Sequence, residues 1–522
     1  MPKQFKITYS TLGANLDAFH REYDKAVTAV KKKMGKTYPH VINNRPIRGR
    51  GEIFASTNPA DTRMVLANFR QATAEEMHAA VEAARLAFPK WSAMDYRQRV
   101  QIMRKAAALI RKHKFELAAI MSLEAGKNRY EAMGDAEESA DLIDYYCQQI
   151  MDAKGFSMPL GKLSPNEDTR SVLRPYGVWA VIAPFNFPLA LSVGMSSGAL
   201  IAGNTVVFKP SHSTPWIGYR MAEIYQQAGL PAGVFNFIAG DRQIGEELVK
   251  HPKLDGIVFT GSKPVGLHIF HEFSQNFIRP TIVELGGKNP AIVMPTADLD
   301  VAAEGVMKSA FGLQGQKCSA CSRVYVHQKV KDKFVDLLLQ KTANIKIGDP
   351  SQRDVYLGPV INQGAYDKFA AATSEARQGG AEFLAGGEQI KDENFAHGYF
   401  VQPTIVDGLP RHHRLFYEEL FLPFLAIATV DSLEEAVKLS NKADYGLTAG
   451  IFTKNKKELD YFFNTIEAGV TYANRRAGAT TGAWPGVNSF CGWKGSGSTG
   501  KGACGPYYVQ QFMREQSRTV IK

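Results

Sequence analysis

The chain has no apolar run approaching the roughly 20 residues that cross a bilayer as a helix, so helical membrane spans are excluded from the reading. Cysteine is scarce. Five occur in 522 residues, an odd number with four of them after residue 317, and this makes no disulfide framework for so long a chain. A reducing, cytoplasmic setting is expected, and it suits a working thiol. The first residues, Met1-Pro-Lys-Gln-Phe-Lys6, are followed by polar sequence and lack the apolar core of a secretory leader. Charge is one-sided without being concentrated. The formal net charge is +11, yet the only dense basic run is Lys31-Lys-Lys-Met-Gly-Lys36, at the end of an expected helix where cations complement the dipole. Elsewhere Lys and Arg are interspersed with acids, so a solvated basic face is expected and no nucleic acid, membrane or metal partner.

What is present reads as globular. With 45% hydrophobic and 22% charged residues the composition is that of an ordered protein, and the length implies two or three domains. A helix is expected near Leu16–Lys33. Thr73-Ala-Glu-Glu76 is a capping-box pattern opening an Ala-rich helix to about Phe88. Asp95 starts a second, in which Val100, Met103, Ala107 and Ile110 recur at helical spacing, and Arg129–Met151 is a third. Gly155–Asn166 breaks the pattern as a loop or hairpin excursion. Then short apolar strands (Val178–Ala183, Thr205–Phe208, Val234–Ile238, Ile257–Phe259, Thr281–Glu284) alternate with helical segments near Leu189–Ala202, Trp216–Gln227, Ile244–Lys250 and Val265–Phe273. That alternation implies a parallel, doubly wound sheet with its ligands at the carboxyl ends of the strands. Further helices are expected at Val301–Phe311, Val330–Ile345, Gly364–Gln378 and Leu433–Asn441, and the Gly-rich tail ends in a β-like Tyr507–Met513.

Three strings carry chemistry. Phe311-Gly-Leu-Gln-Gly-Gln-Lys-Cys-Ser-Ala-Cys-Ser-Arg323 sets Cys318 after a glycine-bearing turn among small residues, where other groups can approach its sulfur. Thr281-Ile-Val-Glu-Leu-Gly-Gly-Lys288 is an apolar strand ending in Glu284, and Val178–Asn186 is another ending in a side-chain amide. A thiol, a carboxylate and an amide suffice for covalent catalysis on a carbonyl, as nucleophile, general base and oxyanion donor. Singly each has a plainer reading: a buried inert thiol, a solvated charge, a turn residue. Gly495-Ser-Gly-Ser-Thr-Gly500 satisfies a dinucleotide fingerprint by letter and Gly495–Lys501 most of a P-loop. No clear strand leads into it, too little chain follows for a βαβ unit, and Gly502 stands where the metal-binding hydroxyl belongs, so it reads as a turn.

These strings, with Phe259-Thr-Gly-Ser262, resemble the aldehyde dehydrogenase superfamily over nearly the whole chain, and within it the 1-pyrroline-5-carboxylate (glutamate semialdehyde) branch. The resemblance implies a dinucleotide-binding domain over 1–154 and 176–286, an α/β catalytic domain over 287–490, and an oligomerisation hairpin and tail over 155–175 and 491–522. It implies Cys318 as nucleophile, Glu284 as base and Asn186 as oxyanion donor, with Cys321 structural. For the cofactor, NAD or NADP, it implies Lys209, Ser211 and His212 at the adenosine ribose, Gly240, Gly261, Ser262 and Gly266 at the diphosphate, and Glu419 and Phe421 at the nicotinamide ribose. His212 stands where the NAD-type pattern has Glu, which removes repulsion against a 2′-phosphate; Leu422 replaces a usual Gly. For an acidic semialdehyde it implies Phe185, Ser319, Gly482, Ala483 and Phe490, although Trp484, Pro485 and Cys491 depart from the usual loop. The activity implied is NAD(P)-dependent oxidation of L-glutamate 5-semialdehyde to L-glutamate, in proline breakdown, by a homodimer or higher homo-oligomer. The alternatives are a dehydrogenase of another semialdehyde or aliphatic aldehyde, a non-catalytic protein on the same fold and, last, a phosphate-hydrolysing P-loop protein.

Overall fold

The computed structural model describes residue 8 and residues 16–522. The Met1–Lys6 stretch read for a leader lies outside the described residues. Two seven-stranded sheets dominate. The first runs Thr281–Glu284, Gly256–Thr260, Val178–Ile182, Thr205–Lys209, Phe235–Phe237, His40–Ile42 and Arg45–Ile47 across the sheet. Its first five strands are parallel and are the five expected from the sequence. Each is buried throughout, which is why these strands read as continuous apolar runs rather than alternating ones. Helices Ala190–Ala202, Pro215–Gln227, Arg242–Lys250 and Lys263–Phe273 fill the crossovers.

Local chemistry sets the helix starts as expected. Thr73 and Glu76 form both halves of the capping box, Asp95 accepts from Arg97 N, and Asn128 caps Arg129–Asp152 through the N–H groups of Tyr130 and Glu131. The antiparallel hairpin His40–Ile47 that extends the sheet went unread. Its outer strand, Arg45-Pro-Ile47, is short and mostly exposed, so no periodicity announces it. A second hairpin, Ile53–Asn58 with Asp61–Arg70, was not anticipated either.

The second sheet runs Glu382–Ala385, Thr404–Asp407, Phe424–Val430, Cys321–His327, Asn289–Val293, Thr448–Phe452 and Val470–Ala473, all parallel but the first. Helices Leu299–Phe311, Lys331–Ala343, Gln363–Gln378 and Leu433–Asn441 lie where the sequence set them. Ser157–Pro159, Glu167–Pro175 and Met513–Ile521 form a separate antiparallel sheet. The tail therefore departs from the expected β-like Tyr507–Met513. Val509–Phe512 is a 3₁₀ turn, and Tyr508, Val509 and Phe512 are buried, with Phe512 against Gly198 of helix Ala190–Ala202. The strand starts at Met513, where exposed polar residues begin.

The segment bearing the nucleotide-like letters is an edge brace. Leu285 N donates to Ser496 O (2.8 Å), Ser498 N to Val283 O (3.1 Å), and Ser496 Oγ to Gly286 O (2.7 Å), pinning the strand that ends in Glu284. Among the described residues no helix is long and apolar enough to cross a membrane, and no group of three or more His, Cys, Asp or Glu could hold a metal ion.

Candidate active site

Cys318 sits on a strained turn between helix Leu299–Phe311 and strand Cys321–His327. Leu313 (φ 49°), Gln314 (φ 56°) and Gly315 (φ 66°) are left-handed in succession, a conformation that costs a non-glycine residue about 1–2 kcal/mol. Glycine is required at 315 because a Cβ would run into the Leu422 carbonyl. Asn289 fixes the loop from below: its Nδ2 donates to the carbonyls of Cys318 (2.7 Å) and Ala320 (2.9 Å), while its Oδ1 accepts from Thr448 N (3.0 Å). Glycine at 287 leaves room for this, since a Cβ would collide with the Cys318 carbonyl.

Cys318 is half-buried and lines the cavity beside it. Burial pushes it up to about 12, and the charges of Glu419 and Glu284 push the same way. The N–H groups of Ser319 and of Cys318 itself oppose that shift. Cys321 is buried in its strand, with Sγ on the Arg323 carbonyl at 3.6 Å.

Asn186 is buried, and its Nδ2 donates to Gln316 O at 3.0 Å, which ties the amide to the turn carrying Cys318. Its own carbonyl accepts from Lys127 Nζ (2.7 Å), and Lys127 pairs with Asp135 at 3.0 Å, both fully buried. Burial pulls the Lys127 ammonium down and the Asp135 carboxyl up, and each partner's charge opposes the shift. Asp135 also accepts from Ala190 N (2.6 Å), at the start of the helix after Asn186. This ion pair and Asn289 were missed from sequence. For Lys127 the signal was a cation directly after Gly126, at the apolar end of helix Tyr96–Ala125; Asn289 carried none.

Glu284 ends its strand beside the same cavity, with Oε2 buried and without a hydrogen-bond partner among the described residues. Burial holds its carboxyl well above the usual carboxylate range. The cavity, about 700 Å³, is lined by Cys318, Glu284, Ser319, Thr481, Gly482, Ala483 and Phe490 among others. The structure thus brings together the thiol, the carboxylate and most of the residues expected to touch substrate. Asn186 and Phe185 do not line it. Phe185 instead meets Phe421 edge-on, ring centroids 5.8 Å apart.

The remaining residues gather at the carboxyl ends of the first sheet. Lys209 is buried, and its Nζ has one hydrogen bond among the described residues, 3.3 Å to the neighbouring Pro210 carbonyl. Burial lowers its ammonium to about 8. His212 stacks on Phe54 (4.2 Å). Ser262 precedes helix Lys263–Phe273 without a side-chain cap and is exposed, so the helix N-terminus stays open. At Gly240 a Cβ would press on Ile244, and at Gly266 on Leu285. A buried ammonium short of partners and an open helix N-terminus fit a ribose hydroxyl and a diphosphate. Glu419 is half-buried, its carboxylate accepts from Gly287 N (2.9 Å), and desolvation raises it to about 7. Leu422, standing where a Gly was expected, needs no special backbone: the left-handed residue is Phe421, φ 62°.

A family model described as the aldehyde dehydrogenase family matches residues 47–518. The 1-pyrroline-5-carboxylate dehydrogenase of Staphylococcus aureus (strain MW2) is 37% identical over 508 residues, 96% of each chain. A solved 1-pyrroline-5-carboxylate dehydrogenase from Thermus with bound NAD superposes with TM-score 0.92 at 33% identity, covering 100% of both chains. Proline utilization A from Bdellovibrio bacteriovorus superposes with TM-score 0.91 at 34% identity over 97% of this chain, which spans only 52% of that protein. With the sheet topology and the thiol–carboxylate cavity, these likenesses establish that the chain belongs to the aldehyde dehydrogenase family.

Proposed function

We propose that this chain oxidises L-glutamate 5-semialdehyde, the open form of 1-pyrroline-5-carboxylate, to L-glutamate with NAD(P)⁺, a step of proline breakdown. The observation that carries it is the shared cavity: Cys318, Glu284, Ser319, Gly482 and Ala483 line one space. As thiolate, Cys318 attacks the aldehyde carbon to form a thiohemiacetal. The Cys318 N–H and the second N–H of Asn186 Nδ2, the one not resting on Gln316, take the oxyanion. NAD(P)⁺, when bound, accepts the hydride that leaves the thiohemiacetal. The thioester left on Cys318 is attacked by water whose proton goes to Glu284, releasing the acid and restoring the thiolate.

Lys209, Ser211, His212, Gly240, Gly261, Ser262 and Gly266 would hold the adenosine and diphosphate, and Glu419 and Phe421 the nicotinamide ribose. His212 brings no carboxylate to the adenosine ribose, so NADP is accepted as well as NAD. The first sheet with its helices is the cofactor domain (1–154 and 176–286) and the second the catalytic domain (287–490). The hairpin and tail (155–175 and 491–522) contact another copy of the chain: Met513–Ile521 is an edge strand, and Met158, Leu163, Val520 and Ile521 around it are exposed. The setting is cytoplasmic.

The test is NAD(P)H formation with glutamate semialdehyde, each cofactor separately, on the native chain and Cys318→Ala. Activity with the native chain and none with the variant is expected; equal rates in both would end the proposal. Trp484, which follows Gly482 and Ala483 in the loop and departs from the family's sequence there, favours a second reading, another semialdehyde. A kcat/KM for an unsubstituted aldehyde of equal length that matched glutamate semialdehyde would select it.

A further inference from the structure

The loop that closes the cavity after strand Val470–Ala473 is held from one side by a single residue. Arg475 Nη1 donates to Thr481 O at 2.9 Å and Nη2 to Gly482 O at 2.8 Å. A trans peptide is planar, with C=O and N–H pointing opposite ways. Drawing the carbonyls of residues 481 and 482 to one guanidinium therefore turns the N–H groups of Gly482 and Ala483 together to the other side. Two successive peptides can face alike because Gly482 is at φ 102°, where a side chain would be strained and a Cβ would stand 2.6 Å from Arg475 Nη2. Neither N–H donates to a protein acceptor among the described residues, and both residues line the cavity. Paired, unsatisfied backbone donors in a concave wall are an anion site.

The rest of the loop is tied as firmly. Thr480 Oγ1 donates to Ser319 O (2.7 Å), beside the nucleophile, and Trp484 Nε1 donates to Asp141 at 2.8 Å, itself paired with Arg111 at 2.9 Å. Nothing in this network needs Arg475 to reach a ligand.

We propose that Arg475 is a positioning residue for acid recognition: its guanidinium holds the Thr481 and Gly482 carbonyls and so aims two backbone N–H groups at the carboxylate of an amino-acid semialdehyde. This rests on the substrate class proposed above. Lysine keeps the charge but has no planar fork to bridge two carbonyls, so charge and geometry separate.

The experiment measures KM and kcat for glutamate semialdehyde and for pentanal, with calorimetric binding of L-glutamate, in the native chain, Arg475→Lys and Arg475→Met. Both variants are expected to raise KM for the semialdehyde about 10- to 100-fold, the range for losing charge-assisted hydrogen bonds, with far smaller changes for pentanal. They weaken L-glutamate binding in parallel, with Arg475→Lys no better than partly rescued. A variant that melts early is read against pentanal kcat in the same preparation, since misfolding lowers both substrates together. Equal losses on the two aldehydes, or L-glutamate binding unchanged in both variants, would overturn the inference. A native chain that binds no L-glutamate and does not prefer the semialdehyde would overturn the acidic-substrate reading first.

Discussion

Two walls of one cavity are built on different terms. On the wall formed by residues 480–484, the carbonyls of Thr481 and Gly482, the Thr480 hydroxyl and the Trp484 indole each have a partner, and the N–H groups left over converge. On the wall carrying Glu284, the backbone is braced by Ser496 and Ser498 but the carboxylate oxygen Oε2 is buried without a partner among the described residues. The contrast suits the two roles proposed for these walls. Recognition wants donors aimed before the ligand arrives, because reorienting them on binding costs free energy. A base wants a carboxylate that gains by taking a proton; hydrogen bonds to the charged form would lower its basicity.

Glu284→Gln removes the unpartnered wall's chemistry and carries the largest effect. Turnover should fall about 10²–10⁴-fold, with the acyl-enzyme persisting as an added mass on Cys318 by intact-protein mass spectrometry. A fall without that mass would move the base elsewhere. The same burial sets the pH response. A carboxyl raised in the folded chain is protonated at low pH and cannot accept from water, so thioester hydrolysis slows as pH falls through the raised value. Folding responds in the opposite sense. Between the unfolded value near 4.5 and the raised one the folded chain binds more protons, so stability falls as pH rises. The urea midpoint of Glu284→Gln should therefore gain on the native chain from acid to neutral pH.

Lys127→Met acts away from both walls, behind Asn186. It leaves Asp135 buried and unpaired and frees the Asn186 carbonyl, and should cost about 3–5 kcal/mol by denaturant melts. If the loss is under ~1 kcal/mol, the ion pair does not hold the oxyanion donor in place. Ser319→Ala is milder: KM for glutamate semialdehyde rises about tenfold while that for pentanal hardly moves, and equal effects would remove Ser319 from the recognition wall. Trp484→Phe should be smallest, about 1 kcal/mol of stability for one hydrogen bond, because Arg111 still pairs with Asp141.

Much of this was legible. The parallel sheet followed from apolar runs of strand length alternating with helices, because strands covered on both faces cannot alternate. Cys318 and Glu284 were legible as strings because small residues and glycines crowd around groups that must be approached, whereas Gly482 and Ala483 entered only through the family resemblance. The hairpin His40–Ile47 was not, since its outer strand gains order from the sheet edge rather than from its own pattern. The tail misled: Tyr507–Met513 looked β-like by composition, yet Tyr508 and Phe512 pack on helix Ala190–Ala202 and the pairing begins one turn later.

Local pattern set the parallel strands of the first sheet, most of the helices and their caps, and the residue types able to do carbonyl chemistry, because these depend on neighbours within a few positions. Only the tertiary structure decided that Gly495–Ser498 braces the Glu284 strand, that Lys127 and Asp135 stand behind Asn186, and that Arg475 turns two peptides toward the cavity. Each of those depends on groups far apart in the chain or on the direction a peptide faces, and neither is written in local pattern.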